Sequence, residues 1–254
     1  MSFDFSGKAV LVTGASRGIG RAVAVAFAEA GAHVAVHYNA GAQAAAETLS
    51  ALPGSGHAAV QADLADAGAV RAMVDGAAAD LGGLDVLVNN AGVYVEHRVA
   101  DVTYEQWQAA WQQTLATNLT GAANAIWCAV PHLRARGGGA IVNVSSRGAF
   151  RGEPDHPAYA ASKAGLNALG QSLAQALAPH GISVGTVAPG FVETEMVAPI
   201  LDGPAGGAVR EQSPLGRVAR PEEVAYAVLF LASPGAAFAT GTILDVNGAS
   251  YLRS

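Results

Sequence analysis

Tyr159 and Lys163 stand four residues apart in "HPAYAASKAGLNALGQSLAQALA", His156 to Ala178. The segment has helical periodicity, with Leu166, Leu169, Leu173 and Leu177 as its expected buried stripe. At i and i+4 the phenol and the ammonium share one face, and that face lies on the stripe. A buried ammonium is costly unless something pairs with it. A free tyrosine titrates near pH 10, so only about 0.1% is ionised at neutral pH. A cation within roughly 4–6 Å lowers that pKa by about 1–3 units, and the positive end of a helix adds to the effect. The pair therefore predicts a phenol that trades a proton near neutral pH, as general acid–base work requires. A tyrosine reaching for the surface beside a solvated lysine is the alternative that the pair alone leaves open.

A second group sits near the start. "AVLVTGASRGIGRAVAVAFAEAG" places Gly14, Gly18 and Gly20 between an apolar run and an amphipathic segment. A strand–turn–helix of this kind presents backbone N–H groups and a positive dipole end to an anion, and glycines let a pyrophosphate approach. The spacing is G-x-x-x-G-x-G, and its context matches that of a dinucleotide site. In such sites an acid after the second strand binds a ribose 2′-hydroxyl. Here the strand ends in His37, Tyr38 and Asn39, with no carboxylate, so a 2′-phosphate would meet no repulsion. Arg17 supplies a cation for it, unless Arg17 is merely a solvated surface residue. These features favour NADP(H) over NAD(H). Asp63 either accepts a bond from an adenine amino group or caps the helix that begins near Asp66.

The elements that must position these groups alternate along the chain. Val10–Val12, Val34–His37, Ala58–Gln61, Val86–Asn89, Ala140–Val144, Ser183–Ala188 and Ile243–Val246 read as strands. Several are continuous apolar runs, as strands buried on both faces require. Helices are predicted over Arg21–Ala30, Ala42–Leu52, Ala67–Leu81, Glu105–His132, Ala158–Ala178 and Pro221–Ala232. Such alternation predicts an α/β fold, a doubly wound parallel sheet of about seven strands with helices on both faces. No linker divides the chain, so residues 1–254 are expected to form a single domain. One long irregular stretch, Glu195–Arg217, is rich in Gly and Pro and reads as a flexible lid.

Composition narrows the function classes. Hydrophobic residues make up 51% of the 254 and charged residues 13%, which describes a globular chain and not a disordered one. A net charge of −6 without any basic run argues against nucleic acid. Cys128 is the single cysteine, so no internal disulfide is possible and a reducing compartment is expected. No leader-like N-terminus and no uninterrupted apolar run of roughly 18–20 residues is present, so the reading is a cytoplasmic protein with no membrane partner. The seven histidines show no metal-ligand spacing, and no catalytic metal is expected.

Together the motifs carry a resemblance. "TGASRGIG" from Thr13, "NNAG" from Asn89, "VSS" ending at Ser146, "YAASK" from Tyr159 and "APGFVET" from Ala188 follow one another in order. The chain resembles the short-chain dehydrogenase/reductase family over essentially its whole length. That likeness implies a Rossmann fold and an oxidoreductase in which the cofactor carries the hydride. It implies that Tyr159 gives or takes the substrate proton, that Lys163 lowers its pKa and holds the nicotinamide ribose, and that Ser146 bonds the substrate carbonyl. Ser145 is then either a packing residue or one that supports the site from behind. Asn118 would hold a water that relays protons to Lys163. Asn90, Ala91 and Gly92 would line the nicotinamide-side ribose, and Pro189, Gly190, Val192 and Thr194 would grip the nicotinamide amide and the phosphates. Gly14, Ser16, Arg17, Gly18, Ile19, Gly20, Asn39, Asp63 and Leu64 complete the expected cofactor-binding set. Departures from the family pattern occur at Gly185 and at Val246–Asn247–Gly248.

The substrate is less defined. Tyr94, Val95, Glu96, His97, Arg147, Phe150, Glu153, His156, Phe191 and Met196 are expected to face it. The likeness extends to 3-oxoacyl-carrier-protein reductases and to sugar and alcohol dehydrogenases. An acidic carrier protein needs a basic landing patch. Arg134, Arg136 and His180 make only a thin one, which favours a small free carbonyl or alcohol as substrate, with the carrier-protein reductase as runner-up. A catalytically idle NADP-binding sensor is a third reading. The resemblance also implies a homo-oligomer, usually a tetramer.

Overall fold

The computed structural model describes residues 3–253. Seven parallel strands form one sheet: β1 (Ala9–Val12), β2 (His33–Tyr38), β3 (Ala58–Gln61), β4 (Val86–Asn89), β5 (Gly139–Val144), β6 (Ile182–Pro189) and β7 (Ile243–Val246). Their spatial order is β3-β2-β1-β4-β5-β6-β7, so the winding reverses between β1 and β4. In open sheets of this kind the crevice outside the strand C-termini at such a reversal is where ligands bind. Every expected strand is present within one or two residues of its expected ends.

The helices are α1 (Gly18–Glu29), α2 (Ala42–Ala51), α3 (Ala67–Leu81), α4 (Tyr104–Leu115), α5 (Ala122–Ala135), α6 (Gly148–Arg151), α7 (Pro157–Leu177), α8 (Ala198–Leu201), α9 (Gly206–Glu211) and α10 (Pro221–Ala232). Two apolar layers flank the sheet. One packs Phe27 and Val228 against β1 and β5, and the other packs Val74, Ile126 and Leu133 against the opposite face.

Three differences from the sequence reading, and one departure from the family pattern, have physical causes. The single helix expected over Glu105–His132 is interrupted by a π turn, Ala116–Gly121, between α4 and α5. Its buried residues Ala110, Thr114, Asn118, Ala122 and Ile126 recur every fourth position. That spacing overshoots an α-helical turn by about 40° per step, and the wider turn returns the stripe to one side. In α7 the deeply buried line is Lys163, Leu166, Asn167, Gly170, Ala174 and Leu177, while Leu169 and Leu173 are only half-buried. Gly170 explains the preference for small residues. A Cβ there would lie 3.0 Å from Thr186 Oγ1 and 3.1 Å from Asn143 Nδ2, so the helix rides directly on the sheet. Gly185 departs from the family pattern because α10 presses on it, with Leu231 Cδ1 3.1 Å from where a Cβ would stand. Finally, the stretch read as irregular holds α8 and α9, each too short to show a period.

Candidate active site

The glycine turn is built as a cradle. Gly14 and Gly18 have φ of +64° and +56°, which disfavour any side chain, and a Cβ on Gly20 would sit 2.2 Å from the Gly14 carbonyl. No side chain caps α1 and its first turn holds no acid, so its leading N–H groups face the crevice. Buried His37 braces the turn: its Nδ1 accepts from Gly14 N at 2.9 Å, which leaves Nε2 to donate to the Ala62 carbonyl at 3.1 Å. Burial lowers its pKa, in keeping with the neutral ring that this geometry needs. Thr13 Oγ1 accepts from Asn90 N at 2.9 Å and Ala91 N at 3.1 Å, and Asn90 Nδ2 donates to the Thr13 and Gly14 carbonyls. The Asn90 amide nitrogen is thus engaged with the glycine turn. Thr194 closes the other side, its Cγ2 3.3 Å from where a Gly18 Cβ would be.

At the adenosine end Asp63 is exposed and its Oδ1 accepts from Ala65 N at 2.9 Å. Asp66 itself caps α3, taking Gly68 N at 2.7 Å and Ala69 N at 3.0 Å, so the capping role is not Asp63's. Leu64 and Val192 are buried in the core and Asn39 is exposed. Ser16 and Ile19 are half-buried on the turn. Arg17 projects from the start of α1 and meets Glu195 at 3.5 Å, a weak pair between two exposed side chains. Pro189 ends β6, and Gly190 N donates to Val246 O at 3.1 Å, which sets the turn beside the nicotinamide end.

Ser146, Tyr159 and Lys163 converge beyond the ends of β4 and β5. The Ser146 hydroxyl stands beside the Tyr159 phenol and opposes the rise of its pKa. Its oxygen also accepts from Gly148 N at 3.0 Å, which leaves the hydroxyl proton free to donate. Ser145 instead donates to the Lys163 carbonyl at 3.2 Å and ties β5 to α7. Lys163 is buried, and its Nζ donates to the Val144 carbonyl at 2.8 Å, its one protein acceptor among the described residues. The remaining donors lie beside Gly92, where a Cβ would come within 3.5 Å of Nζ and 3.3 Å of Asn118 Oδ1. Asn118, inside the π turn, grips Val93: Oδ1 accepts from Val93 N at 2.8 Å, and Nδ2 donates to Val93 O at 3.0 Å and Ser162 Oγ at 3.2 Å. A buried ammonium with unfilled donors beside a glycine fits the hydroxyls of a ribose.

The electrostatics reverse one sequence expectation. Burial pushes Lys163 down to about 8 and Tyr159 up to about 12, with the neighbouring Ser146 hydroxyl only partly offsetting the latter. The ammonium turns toward Val144 and stands 5.7 Å from the Tyr159 ring centre, so desolvation outweighs its attraction for a phenolate.

The residues expected to face the substrate divide into three groups. Tyr94 and His156 stack, with ring centres 3.5 Å apart and planes 12° apart, and Tyr94 meets Tyr159 edge-on at 4.7 Å. Glu153 lies beside the Tyr94 hydroxyl and raises its pKa, burial being the larger cause. His97, by contrast, is buried and does not face the substrate side. Its Nδ1 donates to Val95 O at 2.8 Å, and its Nε2 accepts from Ala158 N at 3.1 Å, capping α7 from a distant loop. Sequence reading missed this cap because no local pattern marks it. Arg147 is also buried and turns toward the C-terminus, bonding Ser250 Oγ and Gln212 Oε1 at 2.6 Å each and lying over Phe191 at 4.7 Å. Glu96 pairs with exposed Arg98 at 3.2 Å, Phe150 lies under Arg253, and Met196 is exposed.

Known proteins are similar to this chain over nearly its whole length. Residues 14–249 match the model of the family described as Enoyl-(Acyl carrier protein) reductase. The chain is 42% identical to cis-4-hydroxycyclohexanecarboxylate dehydrogenase of Sinomonas cyclohexanicum, covering 98% of both chains. It is 38% identical to the 3-oxoacyl-[acyl-carrier-protein] reductase of Staphylococcus aureus, covering 96% of this chain and 98% of that one. The chain belongs to the short-chain dehydrogenase/reductase family. A crystal structure of a short-chain dehydrogenase from Burkholderia cenocepacia in complex with NADP superposes with a TM-score of 0.87 at 36% identity, covering 97% and 98% of the two chains. Short-chain dehydrogenases/reductases bind a nicotinamide cofactor, and the glycine cradle, the bare α1 N-terminus and the half-satisfied Lys163 fit one here. Among the described residues no helix is long and apolar enough to cross a membrane.

Proposed function

We propose that this protein is an NADP(H)-dependent oxidoreductase of small carbonyl compounds and their alcohols, with Tyr159 as the general acid and base. One observation carries the reading: Ser146 and Tyr159 stand side by side at the mouth of the cradle, with a buried, incompletely bonded Lys163 behind them. A nicotinamide held there supplies or accepts the hydride. Tyr159 donates the proton to the substrate oxygen in reduction and removes it in oxidation. Ser146, its own oxygen held by Gly148 N, directs a proton at the same oxygen and stabilises negative charge on it. Lys163 holds the ribose and its charge favours the phenolate once ribose hydroxyls draw it from Val144. The preference for NADP(H) is supported by the lack of an acid at the end of β2 and by Arg17 at the start of α1. The segment 195–217 acts as the lid. Exposed Trp127, Tyr104 and Phe238 support a homo-oligomer, which light scattering checks. NADPH oxidation across ketones, keto sugars, quinones and 3-oxoacyl thioesters tests the activity; no turnover of any of them ends the reading.

The carrier-protein reductase is the second reading, favoured by the identity to the staphylococcal enzyme. The geometry weighs against the basic patch named for it. Arg136 bonds Asp85, which precedes β4, so this patch lies at the strand N-termini and the Tyr159 end is opposite.

A further inference from the structure

One wall of the site contains polar groups that the proton-transfer chemistry does not use. Glu153 follows α6 and is half-buried. Its carboxylate lies against the turn that carries Ser146, since a Cβ on Gly148 would meet Glu153 Oε1 at 2.7 Å. The same carboxylate lies beside the Tyr94 hydroxyl, and Tyr94 in turn sits edge-on to Tyr159 and flat on His156. Glu153, Tyr94 and His156 therefore border the place where a substrate oxygen must approach Ser146 and Tyr159. No lysine or arginine lies within ion-pair distance of Glu153 among the described residues. The neighbouring Arg147 is bonded elsewhere, to Ser250 and Gln212.

We propose that Glu153, with Tyr94 and His156, recognises a hydroxyl on the carbon beside the reacting carbonyl, so that the preferred substrates are uncharged α-hydroxy ketones and the vicinal diols they become. The proposal rests on the oxidoreductase reading above. A hydroxyl both donates and accepts, and this wall offers both kinds of partner: a carboxylate to accept, a phenol and an imidazole to donate. An ammonium group would leave the donors unanswered. A carboxylate on the substrate would face Glu153 directly, a like-charge contact in a half-buried place. Burial raises the Glu153 pKa against the opposing charges of Arg151 and Arg147, and it lowers that of His156, which fits an imidazole kept neutral. Reduction adds the hydride of NADPH to the carbonyl carbon and a proton from Tyr159 to its oxygen; the neighbouring hydroxyl is held and not consumed.

The test compares three ketones with NADPH: acetoin, its O-methyl ether and pyruvate. The ether keeps the electron withdrawal of the oxygen but cannot donate. The wild type is expected to prefer acetoin to the ether by on the order of 100-fold in kcat/KM and to use pyruvate least. Glu153→Gln should bring the acetoin-to-ether ratio to within a few-fold and raise the use of pyruvate relative to acetoin. Tyr94→Phe, which keeps the ring stack and removes the hydroxyl, should lower the same ratio, with folding checked by melting temperature. Equal use of acetoin and its ether by the wild type, a ratio unchanged in Glu153→Gln, or pyruvate as the best of the three overturns the proposal while leaving the oxidoreductase reading intact. Failure of the wild type to reduce any ketone defeats that reading itself.

Discussion

At the N-terminal ends of the strands, buried Asp85 accepts from Ala9 N at 2.9 Å, from Lys8 Nζ at 3.2 Å and from Arg136 at 3.1 and 3.3 Å. At the C-terminal ends, buried Lys163 has one carbonyl, buried Arg147 has two neutral partners and Glu153 has a phenol. The pKa directions record the contrast. Bonds hold the Asp85 carboxyl below its ordinary value although burial opposes them, whereas burial prevails at Lys163, Arg147 and Glu153, each shifted toward its neutral form. One end of the sheet uses charge to hold the fold. The other keeps its charges under-bonded, and groups held in that condition are the ones available to a ligand.

Four changes test this contrast. Tyr159→Phe removes the proton donor and should lower kcat by on the order of 10³-fold with little change in stability, read by steady-state turnover and thermal melting; near-wild-type turnover would remove Tyr159 from the chemistry. Asp85→Ala should act the opposite way, costing about 3 kcal/mol of unfolding free energy with kcat unaltered, read by denaturant titration. Lys163→Met should abolish activity and yet stabilise the cofactor-free protein below pH 8, by on the order of 2 kcal/mol. Since the native Lys163 pKa is lowered to about 8 from 10.5, the native state sheds this proton before the unfolded state does. Wild-type stability therefore rises with pH across that interval, and the advantage of the methionine variant fades over the same range. Melting curves of both proteins at neutral and alkaline pH would show the gap close; a constant gap would mean that Lys163 carries no desolvation cost. Arg17→Ala has the smallest and most selective effect expected, weakening NADP binding by about 1.5–3 kcal/mol and NAD binding far less. Equal losses for both would remove Arg17 from phosphate recognition.

Much of the fold was legible because strands buried on both faces, such as β1 and β4, read as unbroken apolar runs. The ordering of the site was also legible, since each motif closes a strand or opens a helix. What was not legible depends on contacts between distant segments. His97 caps α7 from a loop 61 residues earlier, and its sequence neighbourhood resembles any polar turn. The pKa of Tyr159 follows from where Lys163 turns its ammonium, and an i, i+4 spacing does not specify that direction. The π turn was hidden because a stripe spaced by four satisfies a helical pattern loosely over a short window and departs from it only when followed across the whole helix.

That π turn gives the segment 116–121 a sensitivity to length that its ordinary residues do not advertise. Each residue of an α-helix advances the chain by about 100°. Six residues of π turn rotate the chain about as far as five α-helical residues at about 100° each, so deleting one residue here would restore regular pitch and still leave Ile126, Ala129 and Leu133 on the core face that they share with α3. What would be lost is the grip of Asn118 on Val93, which the widened turn holds. A single-codon deletion in this segment should therefore spare the fold and cost the site.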